Sequence, residues 1–414
     1  MLKILIRPSF LIPFSLVTPY LFIGDRGITF LELIILCGFM LHILKNKSIT
    51  QHRIINLYSI LLIFGYFIAI INGSISYEIP LNFSDFKIIY WLLIAYAGFY
   101  IGYHRYDSIN DIVNSIYFKI IIISLALVVA AYPFLSDEIK YMLMRPYWPP
   151  LADDNTLGLI YSRRFPGLGM NVNVWAFMNL ILLLMVLNST ISKKTSWIFV
   201  LLIMIILIGA ASKTVLGIAI LSIIFQFFIS KSSILSKIKK IAIFIFTLSL
   251  LIILFLFTEF GSFLQEHILI LKRISYFTDF QNNNQINPLD DRFGLWSLGL
   301  ERIQLEPFFG ISRPHIASDS YLPYFSHPHN EFIAYWMFMG FMGLMSLIYL
   351  ICGLIIINLN SKNFFFWANI YLALAIQMFF DAAFQTTRFL PLIFIIIGIN
   401  IRELNNLKIK PGNV

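Results

Sequence analysis

The run His327–Ile357, H-P-H-N-E-F-I-A-Y-W-M-F-M-G-F-M-G-L-M-S-L-I-Y-L-I-C-G-L-I-I-I, decides the fold. From Glu331 onward it is apolar, and about 20 apolar residues in a helix cross about 30 Å of hydrocarbon. Its polar head places two histidines, an asparagine and a glutamate at the start of that run. Just upstream lies D-D-R-F-G-L-W-S-L-G-L-E-R-I-Q-L-E-P-F-F-G, Asp290–Gly310. Arginines, carboxylates and histidines gather over Asp290–Gly343 at the edge of the hydrocarbon, so chemistry is expected there.

Similar apolar runs recur along the whole chain. The sequence is 59% hydrophobic and 12% charged, with a mean hydropathy of +0.82. A soluble domain carries about 25% charged residues. These values predict an all-α polytopic membrane protein of about twelve transmembrane helices. The expected spans are roughly 9–24, 28–44, 54–73, 87–103, 112–134, 169–188, 196–211, 213–230, 241–260, 331–357, 363–380 and 388–401. They form a single transmembrane domain over 1–414. A large loop at 261–330, between the ninth and tenth spans, carries part of the active site, and a second loop lies at 135–168. No internal repeat or cleavable signal peptide is evident. Cys37 and Cys352 fall inside apolar runs, too few for a disulfide framework or metal cage.

The net charge of +9 reads as membrane anchoring, and no nucleic-acid partner is expected. With the N-terminus inside, Lys45, Lys47, Arg53, Arg105, Lys193, Lys194, Lys231, Lys237, Lys239, Lys240 and Lys362 fall in cytoplasmic loops. Arg402, Lys408 and Lys410 fall in the C-terminal tail. The short outer loops are poor in cations: 24–27 holds only Arg26 and 74–86 holds none. That is the positive-inside pattern, and it puts both termini in the cytoplasm. The loops 135–168 and 261–330 are outer and basic, and long loops translocate regardless of charge. Within the second, Leu295–Phe309 mixes apolar and polar residues in the manner of a short amphipathic helix on the membrane.

Several charges sit near the hydrocarbon. Lys213, in A-A-S-K-T-V-L, lies between two apolar spans with almost no loop. It either snorkels to headgroups or serves as an anion ligand, since intramembrane charge is costly without a partner or purpose. Asp381 and Arg388 bracket another tight turn, as a local ion pair or as site residues. Lys119 reads as structural. Arg163 and Arg164 precede F-P-G-L-G-M-N-V-N, and Lys272, Arg273, Arg292, Arg302 and Arg313 occupy the large loop. A guanidinium donates two parallel hydrogen bonds and keeps its charge, so arginines converging on one cavity would hold a pyrophosphate. Taken singly, most of these arginines read as solvated or headgroup contacts. Arg292, heading the run that ends in E-P-F-F-G, is the exception.

Among the histidines, His42, His52 and His104 carry no pattern. His327 and His329 head the tenth span. A metal site there would have only His315 and Glu331 as further ligands, and H-x-H-x-E is a weak signature. A general base fits better, because an unperturbed imidazole titrates near pH 6.5 and is largely neutral above it. A helix-capping histidine is the plainer alternative.

His329-Asn330, nine residues, then Gly340-Phe341-Met342-Gly343 resembles the histidine motif of the bacterial O-antigen ligase and O-antigen polymerase superfamily. Arg292–Trp296, Glu306–Gly310, Gly169–Asn173 and the Ser212-Lys213 turn resemble other parts of its pattern, with Lys213 where relatives often have arginine. The layout agrees over most of the chain, and the sharp motifs cover about 290–345. The resemblance implies an enzyme of the bacterial cell inner membrane, acting at the periplasmic face on glycans carried by undecaprenyl pyrophosphate. It implies transfer to an acceptor glycan or to lipid A-core, with no metal and no cofactor. His329 and Arg292 would be the catalytic pair. Lys213, Arg273, Arg388, Arg164 and Arg163 would bind the pyrophosphate, and Asn330, Glu331, Asp381 and His327 would support them. Attack opposite the leaving group predicts inversion at C1. Membrane lipids and a chain-length regulator are further expected partners. A polymerase is the preferred reading, partly because the 135–168 loop offers room for a second glycan. A ligase is the alternative. A lipid-linked oligosaccharide flippase is disfavoured, since the two halves are unlike and the charges lie at one face.

Overall fold

The computed structural model describes residues 5–23, 26–46, 52–76, 87–147, 160, 165–168, 172–229, 288–310, 328–381 and 389–408. In chain order, helix α1 (Pro8–Phe14) leads to strands β1 (Tyr20–Ile23) and β2 (Arg26–Thr29). Next come α2 (Phe30–Asn46), α3 (Arg53–Ser76), α4 (Lys87–His104), α5 (Ile109–Asn114), α6 (Ile116–Ala131) and α7 (Asp137–Met144). They are followed by α8 (Val172–Asn188), α9 (Lys193–Ala210) and α10 (Lys213–Ile229). The chain continues with α11 (Pro288–Leu305), α12 (Glu331–Ile357), α13 (Phe364–Phe380) and α14 (Phe389–Lys408). Among the described residues, five helices are long and apolar enough to cross a membrane: Arg53–Ser76, Ile116–Phe134, Lys193–Ala210, Glu331–Ile357 and Phe389–Asn406. Shorter apolar helices lie in α2, α4, α8, α10 and α13. Each falls on a predicted span. The expected span at 241–260 lies outside the described residues, as do 261–287 and 311–327 of the large loop.

The first expected span, 9–24, takes a different form. It is the seven-residue α1 followed by a two-stranded antiparallel ribbon in which Tyr20 pairs with Thr29 and Ile23 with Arg26. Pro8, Pro13 and Pro19 explain the change, because each removes a backbone donor and a proline inside a helix clashes with the preceding turn. Seven residues of helix reach about 10 Å, far short of the hydrocarbon. The ribbon ends where α2 begins. Thr29 and Glu32 cap that helix reciprocally: the Glu32 N–H donates to Thr29 Oγ1 at 3.1 Å, and the Thr29 N–H donates to the Glu32 carboxylate. The fifth expected span is likewise divided at Ser115, which caps α6 by accepting from the Phe118 N–H.

The chain divides into two units, residues 1–33 with 107–284 and residues 34–106 with 285–414. In the first, α8 is buried on every side, as a helix without a polar face must be. Trp175 of α8 donates its indole N–H to the Leu16 carbonyl at 3.0 Å. The segment Phe165–Leu168 docks at the C-terminal end of α9. The Phe165 N–H donates to the Gly209 carbonyl at 3.0 Å, and its ring contacts Tyr132 and Trp175.

The second unit is organised by two glycine-lined helix pairs. Along α4, Gly98 and Gly102 form a G-x-x-x-G pattern against α14. A Cβ on Gly98 would lie 2.6 Å from the Pro391 carbonyl oxygen, and one on Gly102 would strike the Ile395 carbonyl. Such small residues let helices associate in lipid, where no water-driven force pulls them together. The other pair is α3 with α12. A Cβ on Gly65 would lie 3.0 Å from the Met339 carbonyl oxygen and 3.1 Å from the Gly343 nitrogen. At one end of α12, a buried clasp ties α12, α13 and α14. Asn358 and Asn400 exchange amide hydrogen bonds at 2.9 Å, and the Tyr371 hydroxyl donates to Asn400 Oδ1 at 2.8 Å.

Candidate active site

The other end of this unit gathers the motif residues around the C-terminus of α13. That helix stops at Phe380, and Asp381 turns the backbone to extended geometry, with φ −160° and ψ 163°. The last carbonyls of a helix have no partner within it. Arg292 of α11 supplies one, its Nη1 donating to the Phe380 carbonyl at 3.1 Å. A cation at this end also opposes the negative end of the helix dipole. The Asp381 side chain is buried and faces the half-exposed ring of His329, with Oδ1 3.4 Å from Nδ1. Arg292 and His329, 37 positions apart in sequence, thus reach two consecutive residues of a third helix.

The inner face of α11 explains how Arg292 is aimed. Arg292, Trp296, Gly299 and Ile303 recur at spacings of four, three and four, one face of a helix. Trp296 packs edge-on against Phe379, with ring centroids 5.0 Å apart. Gly299 crosses the start of α12, where a Cβ would lie 2.7 Å from Ile333 Cγ2. Ile303 is buried. Phe293, Leu298, Leu300 and Leu305 are exposed on the other faces of α11.

His329 has a left-handed backbone, φ 49°. For a residue with a side chain this conformation costs roughly 1–2 kcal/mol. Among the described residues one other non-glycine shares it: Ala211, φ 51°, two residues before Lys213. At His329 the neighbours hold the conformation in place. The buried Asn330 caps α12, with Oδ1 accepting from the Ile333 N–H at 3.1 Å, a contact worth about 1 kcal/mol. Glu331 is buried in the first turn. It lies near Tyr58 of α3 and Tyr335, which are joined by a side-chain hydrogen bond.

The two glycine motifs meet. α12 is broken at Gly340, whose φ of 64° and ψ of −164° leave the helical region. The turn E-P-F-F-G, 306–310, fills the break. The Phe341 N–H donates to the Phe308 carbonyl at 3.2 Å, and the Trp336 indole donates to the Pro307 carbonyl at 2.9 Å. A Cβ on Gly310, itself at φ 74°, would lie 2.5 Å from the Gly340 nitrogen, and a Cβ on Gly340 would strike the Phe308 carbonyl. Only residues without a side chain permit that approach at positive φ.

The expected site residues are distributed as follows. Arg292, His329, Asn330, Glu331 and Asp381 stand together in the second unit. Lys213 is exposed at the start of α10 in the first unit. Arg163, Arg164, Arg273, His327 and Arg388 lie outside the described residues. Composition does not single out Trp296 or Gly299, although the 292–296–299–303 periodicity carries a signal for both. Among the described residues no three His, Cys, Asp or Glu side chains gather as a metal site.

Helices long and apolar enough to span, with an arginine, an imidazole and a carboxylate collected at one end, define an integral membrane protein with a polar centre. Residues 197–348 match the family model described as O-antigen ligase. The match spans α9 to the middle of α12 and includes every residue of the cluster except Asp381 and Phe380. No curated protein matches the chain.

Proposed function

We propose that the protein is a surface-polysaccharide polymerase, joining repeat units carried on undecaprenyl pyrophosphate at the periplasmic face of the inner membrane. The observation that carries the chemistry is the convergence of Arg292 and His329 on Phe380 and Asp381. The Nδ1 of His329 faces a carboxylate, so its proton is held there and Nε2 is left to act as the base. The acceptor hydroxyl oxygen forms a bond to C1 of the donor sugar, and its proton passes to Nε2. The C1–oxygen bond to the pyrophosphate breaks, and the leaving diphosphate takes the electron pair. Attack from the opposite side inverts C1. Arg292 stabilises the charge that grows on the leaving group, an effect strongest where water is scarce. Lys213, Arg163, Arg164, Arg273 and Arg388 are further candidate cations, and Asn330, Glu331 and His327 are candidate supports. Side-chain cations make a divalent ion unnecessary in this scheme, so EDTA should leave turnover intact.

A ligase is the second reading, favoured by the description of the matching family model. Deletion of the gene followed by gel analysis of lipopolysaccharide separates the two. A single repeat unit on the core identifies a polymerase. Bare core with polymer retained on the lipid carrier identifies a ligase. Failed delivery of lipid-linked glycan across the bilayer would identify a flippase and overturn both.

A further inference from the structure

The docked turn 306–310 reaches a third helix. Asn72, in the last turn of α3, donates its Nδ2 to the Gly310 carbonyl at 2.9 Å. The Ser76 hydroxyl donates to Asn72 Oδ1 at 2.9 Å. A carbonyl only accepts, so the Nδ2 end of the amide must be the one that faces Gly310. The turn is therefore held from two sides, by the Asn72 amide of α3 and by α12, which offers the Phe341 N–H at the Gly340 break and the Trp336 indole. In lipid an unsatisfied backbone donor costs several kcal/mol, so a break in a spanning helix persists only where a neighbour supplies the partner. Here the neighbour is the connection that leaves the C-terminus of α11. The other end of α11 carries Arg292, and α12 begins two residues after His329.

We propose that Asn72 and Gly340 are positioning residues, and that the joint they form with 306–310 sets where α11 lies against α12 and so the placement of Arg292 relative to His329. The turn is a mechanical register mark. Its backbone fits the broken helix in one way, because Gly310 and Gly340 leave no room for a shifted alignment. The aromatic side chains of Phe308 and Phe309 stay exposed, so the turn is gripped through its own carbonyls. The catalytic consequence rests on the transferase reading above, while the mechanical claim does not.

The test uses the full chain in nanodiscs, with the exposed Cys37 and Cys352 replaced by serine. Spin labels are placed at Ser297 on α11 and Ile348 on α12, both exposed. Electron-resonance distances are measured alongside steady-state transfer. In Asn72→Asp, which removes the amide donor and keeps the shape, the 297–348 distance distribution should broaden. The kcat should fall about ten-fold and the donor KM change less than about two-fold, as misplacement of a bound group predicts. Asn72→Gln, which keeps the donor, should recover most of the rate. Gly340→Ala should broaden the distribution further. Unchanged distributions in folded Asn72→Asp and Gly340→Ala would overturn the joint. Broadened distributions with wild-type kcat would overturn its positioning role. Broadening in a chain whose wild type transfers no glycan would uphold the joint and sink the transferase reading.

Discussion

α4 and α14 meet along Gly98 and Gly102, with partner carbonyls pressed over the missing side chains and neither glycine leaving the helical region. α3 and α12 also meet through glycines, Gly65 and Gly343, but α12 is broken one residue beyond Met339, and the loop from α11 enters the break. The same small residue is put to two uses within one unit. In the first pair it brings two helices close and nothing else is inserted. In the second it also opens the backbone, giving a connection outside the helix something to grip. The candidate site stands at the end of the second pair, so the helix opened at its glycine is the one that begins at the motif residues.

The sharpest way to break this contrast is at the imidazole. His329→Ala should lower transfer by at least about 10³-fold, within the range of a lost general base, while the protein still inserts and accumulates. Near-normal polymer ladders from this variant would remove the chemistry from the α3–α12 side. Arg292→Lys comes next, with an expected loss of about 10²-fold in kcat, since a point charge cannot reproduce the planar fork over the helix end and a leaving diphosphate. Full activity in a purified assay would argue against diphosphate binding there.

Much of this arrangement can be read from the sequence. The apolar run Glu331–Ile357 predicts α12 with its observed ends, though not its break at Gly340. Other parts escape such reading for physical reasons. Hydropathy over 9–24 registers apolar content and is blind to Pro13 and Pro19, which stop α1 and leave a ribbon. Asp381 reads equally as half of an ion pair with Arg388 or as a site residue, and nothing in the spacing announces its contact with a histidine 52 positions away. Asn72 is an ordinary polar residue near the end of a span, and its role depends on a carbonyl 238 residues distant. Pairings that long follow from packing, which periodicity does not encode.

Asp381→Asn sharpens the comparison at smaller amplitude. The amide keeps the shape but loses the charge that holds the ring, and kcat should fall about ten-fold with donor KM little changed, measured in the same assay. A variant as active as wild type would reduce the 3.4 Å contact to packing. Gly102→Ala should have the smallest effect on chemistry. The added methyl collides with the α14 backbone, so thermal stability in detergent should drop, while kcat per folded molecule stays within about two-fold. A large loss of kcat at normal stability would show that the α4–α14 pair is not mere scaffold.

The most direct measurement is a double-mutant cycle on kcat for Arg292→Ala and His329→Ala in proteoliposomes supplied with lipid-pyrophosphate-linked repeat units. If the two side chains act on one reacting centre at the end of α13, the double variant should be little slower than the slower single variant, because groups that work as a unit are not additive. Losses that simply multiply would place Arg292 and His329 in separate tasks and contradict the account.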